Sequence, residues 1–297
     1  MLFHRILALV ALTTLFATAA FANESKKTQV IASFSLLADI AQQIGGDAVQ
    51  VSAFVGPDQD AHAFQPTPDD AKKLATADLL ILNGLGLEGW QERLIQSSGF
   101  HGKIVVASSG IVPRKNEENE IDPHAWQNLS NGRIYAKNIA KALTEVAPSQ
   151  AKAIGARAAA YDAEIVKLDR WVRDELRDIP KPRRKIITSH DAFGYFGAAY
   201  GISFLAPQGM NTESEPSAKE VANLIRQIKN EGVKEVFIEN MANPRLIEQM
   251  AKDSGAKMGG ELFSDALSKP DGQAPTYFGM FRNNVPKMKK AMMEIGK

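Results

Sequence analysis

Between Pro148 and Pro180 one apolar stripe runs without a break. Ile154, Ala158, Tyr161, Ile165, Leu168, Val172, Leu176 and Ile179 recur every three or four residues. That period puts them all on one helical face, and the two prolines bound the segment. The pattern predicts a single helix of roughly 30 residues, about 45 Å long. Such a helix reads as a beam joining two lobes, with the rest of the chain on one side of it or the other. A coiled coil is the competing reading, but the alanine-rich first half makes a weak one.

Both sides of the beam read as α/β. Before it, Gln29–Phe34, Val49–Val55, Leu79–Asn83 and Ile104–Ala107 are predicted strands. Leu79–Leu82 and Ile104–Ala107 are continuous apolar runs, as in strands covered on both faces. Leu36, Leu37, Ile40, Ala41 and Ile44 form the inner face of a helix stopped by Gly45-Gly46, and Thr67-Pro68-Asp69-Asp70 starts another. After the beam, Lys185–Thr188 and Val236–Glu239 are strands, and Gly259–Asp265 leads to a further strand end. Phe193–Tyr200, a helix opened by the Ser217-to-Glu220 capping box, a helix from Pro244, and a closing helix Val285–Ile295 alternate with them. The expected fold is α/β: two (β/α) sandwich lobes with mostly parallel sheets, joined by one long helix. The expected divisions are 1–22, 23–147, 148–180 and 181–297.

Residues 1–22 read as a cleavable secretory signal. His4 and Arg5 precede the apolar run Ile6–Phe16, and Ala20-Phe21-Ala22 offers small residues at the cleavage positions. The apolar run is shorter than the ~20 residues that span a bilayer. Cysteine is absent, which excludes disulfides, thiolate metal sites and a lipid-carrying cysteine after the signal. A free periplasmic protein is the expectation. Formal net charge is +1, and loss of Arg5 with the signal would leave equal numbers of acidic and basic residues. Nothing in that balance points to nucleic acid or to an anionic membrane. The basic run Lys181–Lys185 reads as a solvated loop.

The chemistry sits in a few histidines. Only His62, His101, His124 and His190 follow the signal. His62, His124 and His190 each lie within two residues of an Asp or Ser at an expected loop or strand end, where α/β folds present ligand-binding loops. Taken singly, each reads as an ordinary surface or packed histidine; the joint pattern carries the argument. His101 lies in a turn and reads as solvated. Asp265, in Phe263-Ser264-Asp265, gains meaning beside three neutral imidazoles. One carboxylate completes four-coordination of a dication and halves its net charge. Asp60, Asp122 and Asp191 lie next to the histidines and could orient a ring or simply shape a turn.

Five motifs carry a family resemblance over essentially the whole chain after the signal. They are Asp60-Ala61-His62 with Gln65-Pro66-Thr67-Pro68, Asp122-Pro123-His124-Ala125-Trp126, Thr188–Phe196, Glu213–Ser217 and Leu262–Asp265. With them the chain resembles the zinc- and manganese-specific solute-binding proteins of bacterial ABC importers. The resemblance implies a metal ion buried between two lobes, held by His62, His124, His190 and Asp265, and passed to a membrane permease. It also implies a binding protein rather than an enzyme, and a monomer. Two departures stand out: the loop before Asp122 lacks the histidine-rich insertion of many zinc members, and Ala61 replaces a common proline.

Manganese-type members tend to carry Glu where this chain has His190. Three imidazoles and one carboxylate suit Zn(II) better than the harder Mn(II), which remains the alternative cargo. A periplasmic zinc hydrolase would need a water-bearing open position and a general base, yet no HExxH motif is present. An adhesin with a structural metal is the third reading. Met280, Met288, Met292 and Met293 raise copper as a reading, but the last three fit the apolar side of a terminal helix, and core packing is preferred. Gly84–Gly89 lacks the GxGxxG spacing of a dinucleotide loop.

Overall fold

The computed structural model describes residues 27–116 and 119–295; the expected signal at 1–22 lies outside them. No helix among them is long and apolar enough to cross a membrane.

The first lobe is a parallel four-stranded sheet in the order β2-β1-β3-β4. Its strands are β1 (Thr28–Phe34), β2 (Val49–Val55), β3 (Leu79–Leu82) and β4 (Lys103–Val106). The helices around it are α1 (Ser35–Gly45), α2 (Pro68–Ala75), α3 (Gln91–Ser98) and α4 (Leu129–Val146). All four residues of β3 are buried, as the unbroken apolar run requires. The chain places β2 and β3 on opposite sides of β1, so the loops leaving their carboxyl ends diverge and open a crevice there.

The long helix forms as the stripe demands. α5 spans Ala151–Leu176, and Ile154, Tyr161, Ile165, Leu168, Val172 and Leu176 are buried. Its 26 residues give about 39 Å. The two ends fall short of the predicted 30 residues because Pro148–Gln150 is a 3-10 turn and the chain after Leu176 tightens into turns, with the Arg177 and Ile179 N–H groups bonded three residues back. Each buried Leu or Ile contributes roughly 1.5–3 kcal/mol over its exposed state. Polar side chains tie the helix to each lobe. Arg157 donates to the Ile44 and Gly45 carbonyls at the end of α1, and Asp169 accepts from Tyr200 on α6 (Gly194–Tyr200).

The second lobe holds two parallel pairs, β5 (Lys185–Ile187) with β6 (Ser203–Leu205) and β7 (Glu235–Glu239) with β8 (Lys257–Leu262). α7 (Ala218–Glu231) and α8 (Pro244–Ser254) pack outside them. α7 starts with the reciprocal Ser217–Glu220 capping box read from the sequence.

Other expectations needed correction as well: β4 is not covered on both faces, Ile104 being 43% exposed. The closing helix begins eight residues early: α9 covers Tyr277–Glu294 with Pro286 inside it. Thr276 is the N-cap, accepting from the Gly279 N–H. A proline inside a helix forfeits one hydrogen bond, and here burial of Tyr277, Met280, Phe281, Val285 and Met288 carries the helix through. The methionine stripe is otherwise core as expected, except that Met293 is 37% exposed. Arg184 is no free cation: its guanidinium donates to the carbonyls of Leu176, Arg177, Ile179 and Tyr200, capping the ends of α5 and α6.

α9 also lies along α5, with Tyr161 and Phe278 stacked at 4.5 Å and Lys289 paired to Glu175. Residues 263–276 reach back to the first lobe, where the Leu267 N–H donates to Ser35 Oγ and the Leu267 carbonyl accepts from the Asp58 N–H. That segment carries Asp265.

Candidate metal centre

Each of the four side chains singled out in the sequence is delivered by a separate loop. His62 lies in the loop between β2 and α2. Asp60 Oδ1 accepts the His62 backbone N–H at 2.8 Å, an Asx turn that fixes the ring's direction. Two bonds tie this loop to the second lobe. Thr212 Oγ1 donates to Asp60 Oδ2 at 2.6 Å, and Asn240 Nδ2 donates to Asp58 Oδ1 at 2.9 Å.

His124 follows the same design. Asp122 Oδ1 accepts both the His124 backbone N–H and its ring Nδ1, each at 2.9 Å. A 3-10 turn, Ala125–Gln127, then leads to α4, whose N-cap Asn128 accepts from the Ser130 N–H. His190 stands just beyond β5, extended by a parallel bridge to Gln208. Glu239, at the end of β7, accepts its backbone N–H through Oε1 at 2.9 Å and sets Oε2 2.7 Å from ring Nδ1.

Asp265 follows β8. The Asn284 amide clamps Phe263 by accepting its N–H and donating to its carbonyl. Trp126 Nε1 and Gln127 Nε2 both donate to the Ser264 carbonyl, at 2.9 and 3.0 Å. The segment carrying Asp265 is thus pinned from both lobes.

The four groups meet. One donor atom from each of His62, His124, His190 and Asp265 lies within 4.8 Å of all the others. His62 Nε2 is 3.1 Å from both His124 Nε2 and Asp265 Oδ2. His190 Nε2 is 3.0 Å and His124 Nε2 3.6 Å from the same Oδ2. The edge of a tetrahedron around zinc with ~2.05 Å bonds is about 3.3 Å, so these separations match such a cage. The chemistry of the donors fits as well: three Nε2 atoms face one carboxylate oxygen, and Asp265 Oδ1 is buried with no protein partner.

Burial makes the cluster electrostatically tense. His124, His190 and Asp265 are fully buried. Burial alone would lower the His124 imidazolium, but the Asp265 and Asp122 carboxylates outweigh it and push His124 up to about 9. His190 rises well above the usual histidine value, because Glu239 and Asp265 overcome the same desolvation. Burial would raise Asp265, yet the fields of His190 and His124 hold it well below the ordinary carboxylate range.

The His62 side chain is 5% exposed, and it alone of the four borders a cleft of about 1100 Å³ lined also by Phe64, Trp90, Arg93, Asn211 and Glu213. His101 is exposed, as expected. Of the three neighbouring aspartates, only Asp122 meets an imidazole nitrogen. Asp60 serves the His62 backbone, and the Asp191 N–H donates to the Gln208 and Gly209 carbonyls. Glu239 went unnoticed in the sequence. Its signal is a carboxylate closing the apolar run Val236-Phe237-Ile238, a charge that cannot stay buried without a partner.

With this geometry in view, the comparisons with known proteins fall into place. The family model described as "Zinc-uptake complex component A periplasmic" matches residues 30–291. Among curated proteins the chain is 35% identical over 291 residues to the iron-binding protein YfeA of Yersinia pestis, covering 95% of this chain and 93% of that one. It is 32% identical to the manganese-binding lipoprotein MntA of Bacillus subtilis (strain 168), covering 95% of each. Among solved structures, the periplasmic zinc binding protein TroA from Treponema pallidum superposes with a TM-score of 0.86 at 30% identity, over 90% of this chain and 99% of that one. A Mn-bound periplasmic metal binding protein from candidatus liberibacter asiaticus gives 0.81 at 32% identity, over 90% and 100%. The chain belongs to the zinc-uptake component A family of metal-binding proteins of bacterial importers.

Proposed function

We propose that the protein captures Zn(II) in the periplasm between its two lobes and delivers it to the permease of a metal ABC importer. His62, His124, His190 and Asp265 are the ligands in this reading. The lobes they come from are 23–147 and 181–297, with 148–180 as the connecting beam. The protein acts as an exported monomer, and residues 1–22 serve as its signal. The convergence of four donors from separate loops of both lobes carries the proposal. Nothing need be catalysed: Asp265 occupies the fourth corner, where a hydrolase would keep a water.

Zinc is favoured by the donor set, since three nitrogens and one oxygen match its tetrahedral preference. Mn(II) is the second reading. What favours it is the company of relatives named as manganese- and iron-binding. Tight binding alone does not decide between them, because by the Irving–Williams order nearly any such site holds zinc more tightly than manganese. The deciding experiment is elemental analysis of protein purified without added metal, followed by zinc–manganese competition at controlled free concentrations. Manganese in the purified protein, retained against physiological zinc, would overturn the zinc assignment.

Metal that grips both lobes must stabilise the fold. With free zinc a thousandfold above Kd, binding adds about 4 kcal/mol, a rise of roughly 10 °C in Tm for a chain of this size. Calorimetry with and without chelator checks it. Coincident melting curves would remove metal binding from consideration altogether.

The Thr212–Asp60 bond is the latch that holds the His62 turn to the second lobe. Thr212→Val keeps the shape and removes the donor. Zinc is expected to leave several-fold faster, in line with a loss of about 1 kcal/mol, as read by stopped-flow mixing with a chromogenic chelator. An unchanged rate would mean the latch has no part in retention.

A further inference from the structure

Glu239 is fully buried, and its two oxygens do different things. Oε1 accepts the His190 backbone N–H. Oε2 lies 2.7 Å from Nδ1 of the His190 ring, and among the described residues neither atom has a hydrogen-bond partner elsewhere. Anchoring a backbone N–H does not call for a second, charged oxygen. A neutral amide would serve, without the penalty that burying an ion carries. The second oxygen is aimed at the back of a ring whose front nitrogen faces Asp265.

Charge leads to the same place. Asp122 has a cationic neighbour of its own, with Arg114 Nε 3.6 Å from its Oδ2. Asp265 and Glu239 then remain to offset a bound dication, one as a direct donor and one through His190. The backbone ties in as well: the Glu239 N–H donates to Ser189 Oγ at 3.2 Å, so strand β7 and the His190 turn grip each other at adjacent residues.

We propose that Glu239 is a positioning residue for the bound metal: it holds His190 in the tautomer protonated on Nδ1, leaves the Nε2 lone pair for the ion, and supplies the second negative charge of the centre. The inference rests on the metal-capture reading above. His124 receives the same treatment from Asp122, two residues upstream in its own loop, whereas Glu239 reaches His190 from a different strand 49 residues away. No carboxylate meets His62 Nδ1 among the described residues. Two ligands are thus oriented in advance, and the third, beside the open cleft, completes the set.

Glu239→Gln tests this. With its carbonyl on the His190 N–H, the glutamine amide turns NH₂ toward Nδ1 and selects the tautomer that blocks Nε2. Zinc affinity measured at pH 9, where protons compete least with the metal, is expected to fall roughly 10- to 100-fold, the usual effect of losing such an orienting partner. The visible absorption of the Co(II)-loaded variant should lose the intensity of a tetrahedral three-nitrogen site, while near-UV circular dichroism of the metal-free protein stays as in the wild type. Wild-type affinity and an unaltered cobalt spectrum in a folded variant would overturn the proposal. Should the variant not fold, ¹⁵N NMR of the zinc-loaded wild type decides: zinc on Nε2 with Nδ1 protonated supports it, and zinc on Nδ1 overturns it. A wild type that binds no zinc defeats the capture reading instead, so the two failures are distinct.

Discussion

Asp265→Asn is expected to weaken zinc binding by about three orders of magnitude, on the order of 4 kcal/mol. The substitution changes hardly any volume, so the loss measures charge and donor quality. Asp265 Oδ2 lies within 3.6 Å of all three Nε2 atoms, at the point where the only anionic donor would contact the ion. A neutral amide oxygen is a poor substitute for zinc, which takes N, S and carboxylate ligands. The variant also removes one of the charges that raise His124 and His190, leaving Asp122 and Glu239, so fewer protons compete with metal near neutrality and part of the loss is hidden there. Measured by competition at pH 9, where protons compete less even in the wild type, the deficit should be widest. A loss below tenfold at that pH would show that Asp265 is a neighbour of the metal and not its ligand.

What was legible in the sequence, and what was not, follows from the range of the interactions. The stripe from Ile154 to Leu176 and the apolar strands are local patterns, so α5, β1 to β5 and β7 could be read directly, whereas the short β6, Ser203–Leu205, was missed. The four donors could be listed because histidine is rare here and sits at strand ends. Their convergence could not be computed from spacing; it came from family resemblance. Partners distant along the chain stayed hidden. Trp126 reaches Ser264 across 138 residues and Asp60 meets Thr212 across 152, and no local pattern announces either. Glu239 looked like the polar end of a buried strand. The closing helix, expected over Val285–Ile295, extends back to Tyr277 through Pro286 because Tyr277, Met280 and Phe281 are buried in the core. Arg184 read as a solvated charge because four carbonyls from two different helix ends gather around it only in the folded chain.

The second large effect is that zinc binding depends steeply on pH. In the metal-free protein His124 keeps its proton up to about pH 9 and His190 to well above the usual histidine range, and an ion can bind only neutral imidazoles. Near neutrality each ion must therefore expel about two protons, and apparent affinity should climb roughly 100-fold per pH unit between pH 6 and 8. Stability of the metal-free protein runs the other way. A histidine raised by folding stabilises fully below its ordinary value of 6.5 and loses that contribution as pH climbs through its folded value. Asp265, held low, contributes above its ordinary 3.8 and loses it as pH falls. The metal-free site is thus best satisfied in mildly acidic solution, where protons stand in for the cation among the same carboxylates, and least so towards pH 9. The gap in Tm between loaded and metal-free protein should widen as pH rises from 6 to 9. Titration calorimetry in buffers of different ionisation enthalpy counts the protons released. A count near zero, or an affinity flat across that interval, would mean that the imidazoles are already neutral before the ion arrives and that the buried carboxylates do not hold protons on the site.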